Sequence, residues 1–245
     1  MVHRVLLRTN RRELSILSIK CILHAKLFKL HLRTTAIFPT FRYAKAYESL
    51  QGPGDARPTA LQIVNDEGSE NDLRGKVVLI TGCSPGIGTE TARTLYHTRA
   101  RVNLTARDSP KAESALHDLI DNPWVHLSHL GLNSLDSVCA CAEEFKSKSA
   151  TLGIFIENAG ILACPKGRTA DGFEKQFRAN HLALFLPFYL LESVLLSLST
   201  LELQYRVVIV ASSAHRLTSV HFDNLSFEGG YDHWRAYSQS KTANI

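Results

Sequence analysis

The chain is 245 residues long, 44% apolar and 21% charged, with a formal net charge of +5. That length suits one α/β domain, or one domain with a tail, and the composition excludes a repeat, fibrous or low-complexity protein. Residues 1–45 hold ten Lys/Arg against the single acid Glu13, a net of +9, while the other 200 residues hold eighteen basic and twenty-two acidic side chains, a net of −4. The basic character belongs to the leader, so nucleic-acid binding by the body is not expected.

The leader (1–45) contains a largely apolar run from Leu14 to Leu32, interrupted by Lys20, Lys26 and Lys29. Three ammonium groups make it a poor membrane span, and no span is expected. Arg-rich and acid-poor, it reads either as a disordered extension or as a mitochondrial transit peptide. Cytoplasmic residence is expected, with the mitochondrion as the alternative. Residues 46–74 form a linker and lead-in around the Pro/Gly stretch GPGDARPTA (52–60). Five cysteines (Cys21, Cys83, Cys139, Cys141, Cys164) show no C-x-x-C pairing and read as reduced thiols of an intracellular protein. His126 and His129 lie in a strand-like stretch and Cys139 and Cys141 in a helix-like one, so no metal site is expected.

From residue 75 the pattern alternates. GKVVLIT (75–81) is a buried-strand run, followed by a glycine turn and a helix through about Tyr96. RVNLTA (101–106) reads as a second strand, 110–120 as a helix, 124–130 as a third strand and 133–149 as a helix. LGIFIE (152–157) reads as the fourth strand, 171–198 as a long helix, and RVVIVAS (206–212) as the fifth strand. Short apolar strands separated by helices predict a doubly wound parallel sheet of Rossmann type, three layers deep (αβα), over 75–245.

The first strand runs into Thr81-Gly82-Cys83-Ser84-Pro85-Gly86-Ile87-Gly88, where a helix opens. Gly82 suits a tight turn, Gly86 lets backbone approach a pyrophosphate, and Gly88 lets the helix pack on the sheet. The phosphates then meet a helix N-terminus, with Ser84 and Gly86 still able to donate beside Pro85. Further on stand Asn158-Ala159-Gly160, Asn180 in RANHL, a Ser212-Ser213 pair, and Tyr237-Ser-Gln-Ser-Lys241 roughly 25 residues beyond that pair.

In this order these elements resemble the short-chain dehydrogenase/reductase superfamily, in its retinol-dehydrogenase-like or carbonyl-reductase-like branch. The resemblance implies an oxidoreductase that interconverts an alcohol and a carbonyl on a small lipophilic or aromatic substrate. It implies that Thr81, Gly82, Ser84, Gly86, Ile87, Gly88, Asn158, Ala159 and Gly160 serve the cofactor. By the same resemblance Tyr237 is the general acid/base and Lys241 lowers its pKa and holds the nicotinamide ribose. Ser213, with Ser212 as the alternative, polarises the carbonyl, and Asn180 completes a tetrad through a water relay to Lys241. Lys241 stands four residues after Tyr237, on the same helix face, where its charge favours the phenolate.

Cofactor choice is read after the second strand. Arg107, nineteen residues after Gly88, suits a 2′-phosphate and predicts NADP, whereas Asp108 turning inward would suit NAD. The resemblance also implies a longer domain, so the chain reads as lacking the family's last strands, covering helices and dimerising helices. The alternative reading is an inactive fragment or a nucleotide-binding scaffold, with oligomeric state doubtful. Arg99 in a turn where glycine is usual, Pro187 within a helical run, and Gly131 where the family has an Asp are further departures.

Overall fold

The computed structural model describes residues 43–197 and 205–245. The apolar run of the leader and Cys21 lie outside them. The described chain falls into two units, through Thr59 and from Ala60 onward. Within the first, Ala44–Tyr47 forms a 3-10 turn, and Asp55 gathers the N–H groups of Gln51, Gly52 and Arg57 while pairing with Arg57 Nε at 2.7 Å. The second unit opens with a short helix α1 (Ala60–Asp66), in a stretch that reads as linker by sequence.

Five parallel strands make the sheet: β1 (Val77–Thr81), β2 (Arg101–Ala106), β3 (Val125–His129), β4 (Ile154–Glu157) and β5 (Arg206–Ile209). Their order is β3-β2-β1-β4-β5, with β1 buried along its whole length at the centre. The connecting helices are α2 (Ile87–His97), α3 (Ser109–Ala115), α4 (Leu135–Lys148) and the long α5 (Lys175–Leu196), followed after β5 by α6 (His233–Thr242).

Alternation along β1 builds both cores. Val78 and Ile80 point to one face, against Ala92 of α2 and Ala112 of α3. Val77 and Leu79 point to the other, against Phe145 of α4 and Leu191 and Leu195 of α5. Each face of the sheet thus has a helical layer, the three-layer αβα arrangement expected for continuous apolar strands. The strand order reverses between β1 and β4, and the carboxyl ends of both strands open on one edge of the sheet. In open α/β sheets that switch point is where ligands bind.

The ends of elements differ from the sequence reading for identifiable reasons. β5 stops at Ile209 because the Val210 carbonyl turns to accept from Lys241 Nζ (2.8 Å). α5 begins only at Lys175, where Glu174 caps the N–H groups of Gln176 and Phe177. α3 ends at Ala115, and tight turns carry the chain on through Ile120. Pro187 does not break α5. The helix widens earlier instead, into a π turn at Arg178–Leu182 that returns the Ala183 N–H to the Arg178 carbonyl. α5 is long and apolar enough to cross a membrane by length and composition, yet half of it is buried in the fold, as suits a core helix. β5 lies at an edge of the sheet, where Val208 and Ile209 are nearly half exposed.

Arg99 follows α2 with φ of 63°, the left-handed conformation that glycine adopts at no steric cost. Its N–H returns to Tyr96 O and its carbonyl accepts from Gly75 N, so the backbone is held there despite the side chain. Arg99→Gly is expected to raise unfolding free energy by up to about 1 kcal/mol, measured by urea denaturation.

Candidate active site

β1 delivers Thr81 to the carboxyl edge, and α2 leaves that edge six residues later, at Ile87. Space between them is scarce. A Cβ on Gly82 would lie 2.7 Å from Ala159 Cα, and a Cβ on Gly88 would lie 2.6 Å from Asn158 Nδ2 and closer still to the Gly82 carbonyl oxygen. Gly86 is different: its φ of 124° requires glycine, and nothing stands within 4 Å of where its Cβ would be. Two glycines therefore allow packing, and the third presents bare backbone to open space at the N-terminus of α2. Thr89 Oγ1 fixes the turn from inside by donating to Ser84 O at 2.6 Å. Ile87 is exposed.

The Asn-Ala-Gly segment after β4 braces this turn. Asn158 Nδ2 donates to the carbonyls of Thr81 (2.8 Å) and Gly82 (3.1 Å), while Thr81 Oγ1 accepts from the N–H groups of Asn158 and Ala159. Thr81 and Ala159 are buried, so they shape the turn from behind; Gly160 is exposed in front. At the end of β2, Arg107 is exposed and makes no ion pair among the described residues. Asp108 does not turn inward: it caps α3, accepting from Lys111 N at 3.1 Å.

The second cluster is built by α5, α6 and the segments after β4 and β5. Asn180 sits fully buried in the π turn. Its Oδ1 accepts from Ile161 N at 2.7 Å, and its Nδ2 donates to Ile161 O and Ser240 Oγ, both at 2.9 Å. Its backbone carbonyl accepts from Asn244 Nδ2. A Cβ on Gly160 would stand 3.1 Å from Asn180 Oδ1 and 3.6 Å from Lys241 Nζ, so these three residues converge. Lys241 is 4% exposed, and burial pulls its ammonium below the usual lysine range.

Tyr237, one turn earlier on α6, is partly exposed. Its hydroxyl has no hydrogen bond among the described residues, and its ring meets that of Trp234 edge-on at 6.5 Å. Ser212 caps the 3-10 turn Ser213–Leu217, its hydroxyl accepting from Ala214 N, whereas Ser213 is exposed with its hydroxyl uncommitted. The structure thus brings Asn180, Gly160 and Lys241 close together. No hydrogen bond links Ser213 to Tyr237 among the described residues.

Several supporting residues have no sequence signal beyond lying inside a polar run. Gln239 takes His221 N and donates to Leu225 O, Ser238 donates to Ala214 O, and the one Thr242 hydroxyl hydrogen lies within reach of both His215 O and Thr218 O. Gln176 donates to Tyr231 Oη and His233 O. None of the described residues forms a cluster able to hold a metal ion.

A family model for the short chain dehydrogenase matches residues 76–245, which takes in both clusters. The chain belongs to the short-chain dehydrogenase/reductase family. It is 46% identical over 204 residues to short-chain dehydrogenase/reductase prx1 of Penicillium roqueforti, covering 83% of this chain and 60% of that protein. To retinol dehydrogenase 12 of Homo sapiens it is 43% identical over 176 residues, covering 71% and 54%. It falls in the retinol-dehydrogenase-like branch and spans a little over half the length of these curated relatives. Among solved structures, an uncharacterised protein from Mycobacterium paratuberculosis aligns at TM-score 0.59 and 34% identity, covering 72% of this chain and 62% of that one. The Pseudomonas aeruginosa RhlG/NADP active-site complex aligns at TM-score 0.56 and 26% identity, covering 71% and 65%.

One buried acid stands apart from this dehydrogenase/reductase pattern. Glu157, the last residue of β4, is 3% exposed, and its Oε1 has no partner among the described residues. Burial pushes its carboxyl up to about 8, so the neutral acid is the form the fold prefers. The folded value lies above the ordinary 4.5. The stability this group favours is therefore complete at low pH and is lost as pH rises towards 8. Unfolding free energy should fall across that window by up to about 1.4 kcal/mol per pH unit, and Glu157→Gln should flatten the profile in urea titrations at stepped pH.

Proposed function

We propose that this chain binds NADP(H) and interconverts an alcohol and a carbonyl on a small lipophilic or aromatic substrate. The observation that carries this reading is the convergence of Lys241, Asn180 and Gly160 one helical turn from Tyr237, on the same sheet edge as the braced glycine turn. The space in front of Gly86 fits a pyrophosphate lying against backbone at a helix N-terminus. Ser84, Gly86, Ile87 and Gly88 would hold it, and Arg107 would take a 2′-phosphate bidentately. Because Asp108 is spent on capping α3, the carboxylate an NAD ribose needs is not presented there. A bound nicotinamide supplies or accepts the hydride.

The side chains do the rest. Tyr237 gives a proton to the carbonyl oxygen in reduction and takes it back in oxidation. Lys241, held by Val210 O, keeps a positive charge close enough to favour the phenolate. Ser213, with its hydroxyl uncommitted, donates to the substrate oxygen, while Ser212 fixes the turn that presents it. Asn180 keeps Lys241 and the Gly160 segment in register. The four described cysteines are free, which suits a reducing intracellular setting, the cytoplasm or the mitochondrion.

A second reading, a nucleotide-binding scaffold without turnover, is favoured by one observation. The brace behind the glycine turn is complete, whereas Ser213 and Tyr237 share no hydrogen bond among the described residues.

Thermal unfolding separates the steps. At about a hundred times its dissociation constant NADPH should stabilise the chain by about 2.7 kcal/mol, and NADH at the same concentration by less. Arg107→Ala should weaken NADPH binding about tenfold or more and leave NADH nearly unchanged. Tyr237→Phe should cut carbonyl reduction about 10²–10⁴-fold at an unchanged unfolding midpoint. A nucleotide shift without turnover in the parent chain would favour the scaffold.

A further inference from the structure

We propose that Trp234 is the recognition wall of the carbonyl-substrate site, against which an aromatic or extended conjugated ring of the substrate lies. This rests on the reading of Tyr237 as the proton donor. α6 opens at His233 behind an Asp232 cap that accepts from Arg235 N at 2.7 Å. Trp234 stands in its first turn, three residues before Tyr237, and so on the same face. The two rings lie 6.5 Å apart at 84°, edge to face.

The fold makes little use of this indole. α6 buries Ala236, Ser238, Gln239, Ser240 and Lys241 in its later turns, whereas Trp234 in the first turn is 48% exposed and belongs to none of the apolar clusters. Its N–H has no partner among the described residues. A tryptophan can bury about 150–250 Å² of surface, and much of that remains in water here. Two other segments near α6 also end in exposed apolar side chains. Leu162 (61%) lies two residues past Gly160, and Leu217 (65%) closes the turn held by Ser238 and Thr242. A carbonyl carbon attached to a flat apolar body covers the indole as its oxygen reaches Tyr237. A short alkyl carbonyl reaches the same hydroxyl and covers little.

The protein supplies its own probe, because it contains two tryptophans. Trp124 precedes β3 at the sheet edge away from β5, with Arg101 over its ring, and Trp124→Phe keeps an aromatic ring there. In that background the remaining indole fluorescence reports on Trp234 alone. We expect 2-acetonaphthone to quench it saturably and 2-butanone to leave it unchanged. By calorimetry, Trp234→Ala in the otherwise unaltered chain should raise the dissociation constant of 2-acetonaphthone about tenfold, Trp234→Phe should recover most of the loss, and the NADPH-induced shift in midpoint should stay the same.

Absence of saturable quenching would overturn the proposal, as would an unchanged dissociation constant in a Trp234→Ala protein that still melts cooperatively. Failure of the parent reading looks different: Tyr237→Phe would turn over at the parent rate, or neither nucleotide would shift the midpoint, whatever the ketone did.

Discussion

The carboxyl edge of the sheet depends on how closely α2 can approach the start of the Asn158-Ala159-Gly160 segment. No methyl group fits on Gly88 or Gly82, and that is what lets Asn158 reach across and bond two successive carbonyls of the β1 turn. A larger residue at Gly88 would push the helix away, one at Gly82 would press on Ala159, and either would disturb those bonds. The turn could then not hold Gly86 open in front of the helix N-terminus. The ribs of the sheet place this edge, but its width is set by two hydrogen atoms.

The second half of the site is assembled on a different principle. α6 docks by hydrogen bonds more than by apolar area: Ser238, Gln239, Ser240 and Lys241 are all buried, and each has a backbone or side-chain partner. Through them one helix holds the turn after β5, the loop around His221 and Leu225, and the carbonyl of Val210. Asn180 does the same from α5, and the π turn places its carboxamide between Ile161 and Ser240. Buried polar groups of this kind cost stability when unpaired and specify geometry when paired. Tyr237 and Lys241 are therefore placed by their neighbours' amides and hydroxyls, with the apolar cores some way off.

Much of this was legible in the chain itself, and the part that was not has a physical cause. Continuous apolar runs announced β1 to β5 and their parallel sense, with β5 read three residues too long, and the glycine spacing announced the turn. Position alone marked Arg99 as left-handed. The polar run around Tyr237 was a different matter, since Ser, Gln and Ser on a helix read as a solvated face. Only tertiary structure shows that these residues are inside. The burial of Glu157 has no sequence signal either, because a carboxyl at a strand end ordinarily lies in water. The π turn is invisible to a period of 3.6, and the spacing that put Asp108 near a ribose carried no sign that it caps α3 instead.

The polar docking of α6 has a thermodynamic consequence. Hydration of apolar surface dominates the heat capacity of unfolding, and polar exposure contributes with the opposite sign. Releasing α6 from the sheet should carry a small heat-capacity change, while opening the cores around β1 should carry a large one. Cooling weakens apolar association and leaves amide pairing nearly untouched. The grip on Tyr237 and Lys241 is then least sensitive to temperature where the rest of the molecule is most sensitive. Near the cold end of its range, the apolar cores around β1 should weaken more than the polar contacts that dock α6.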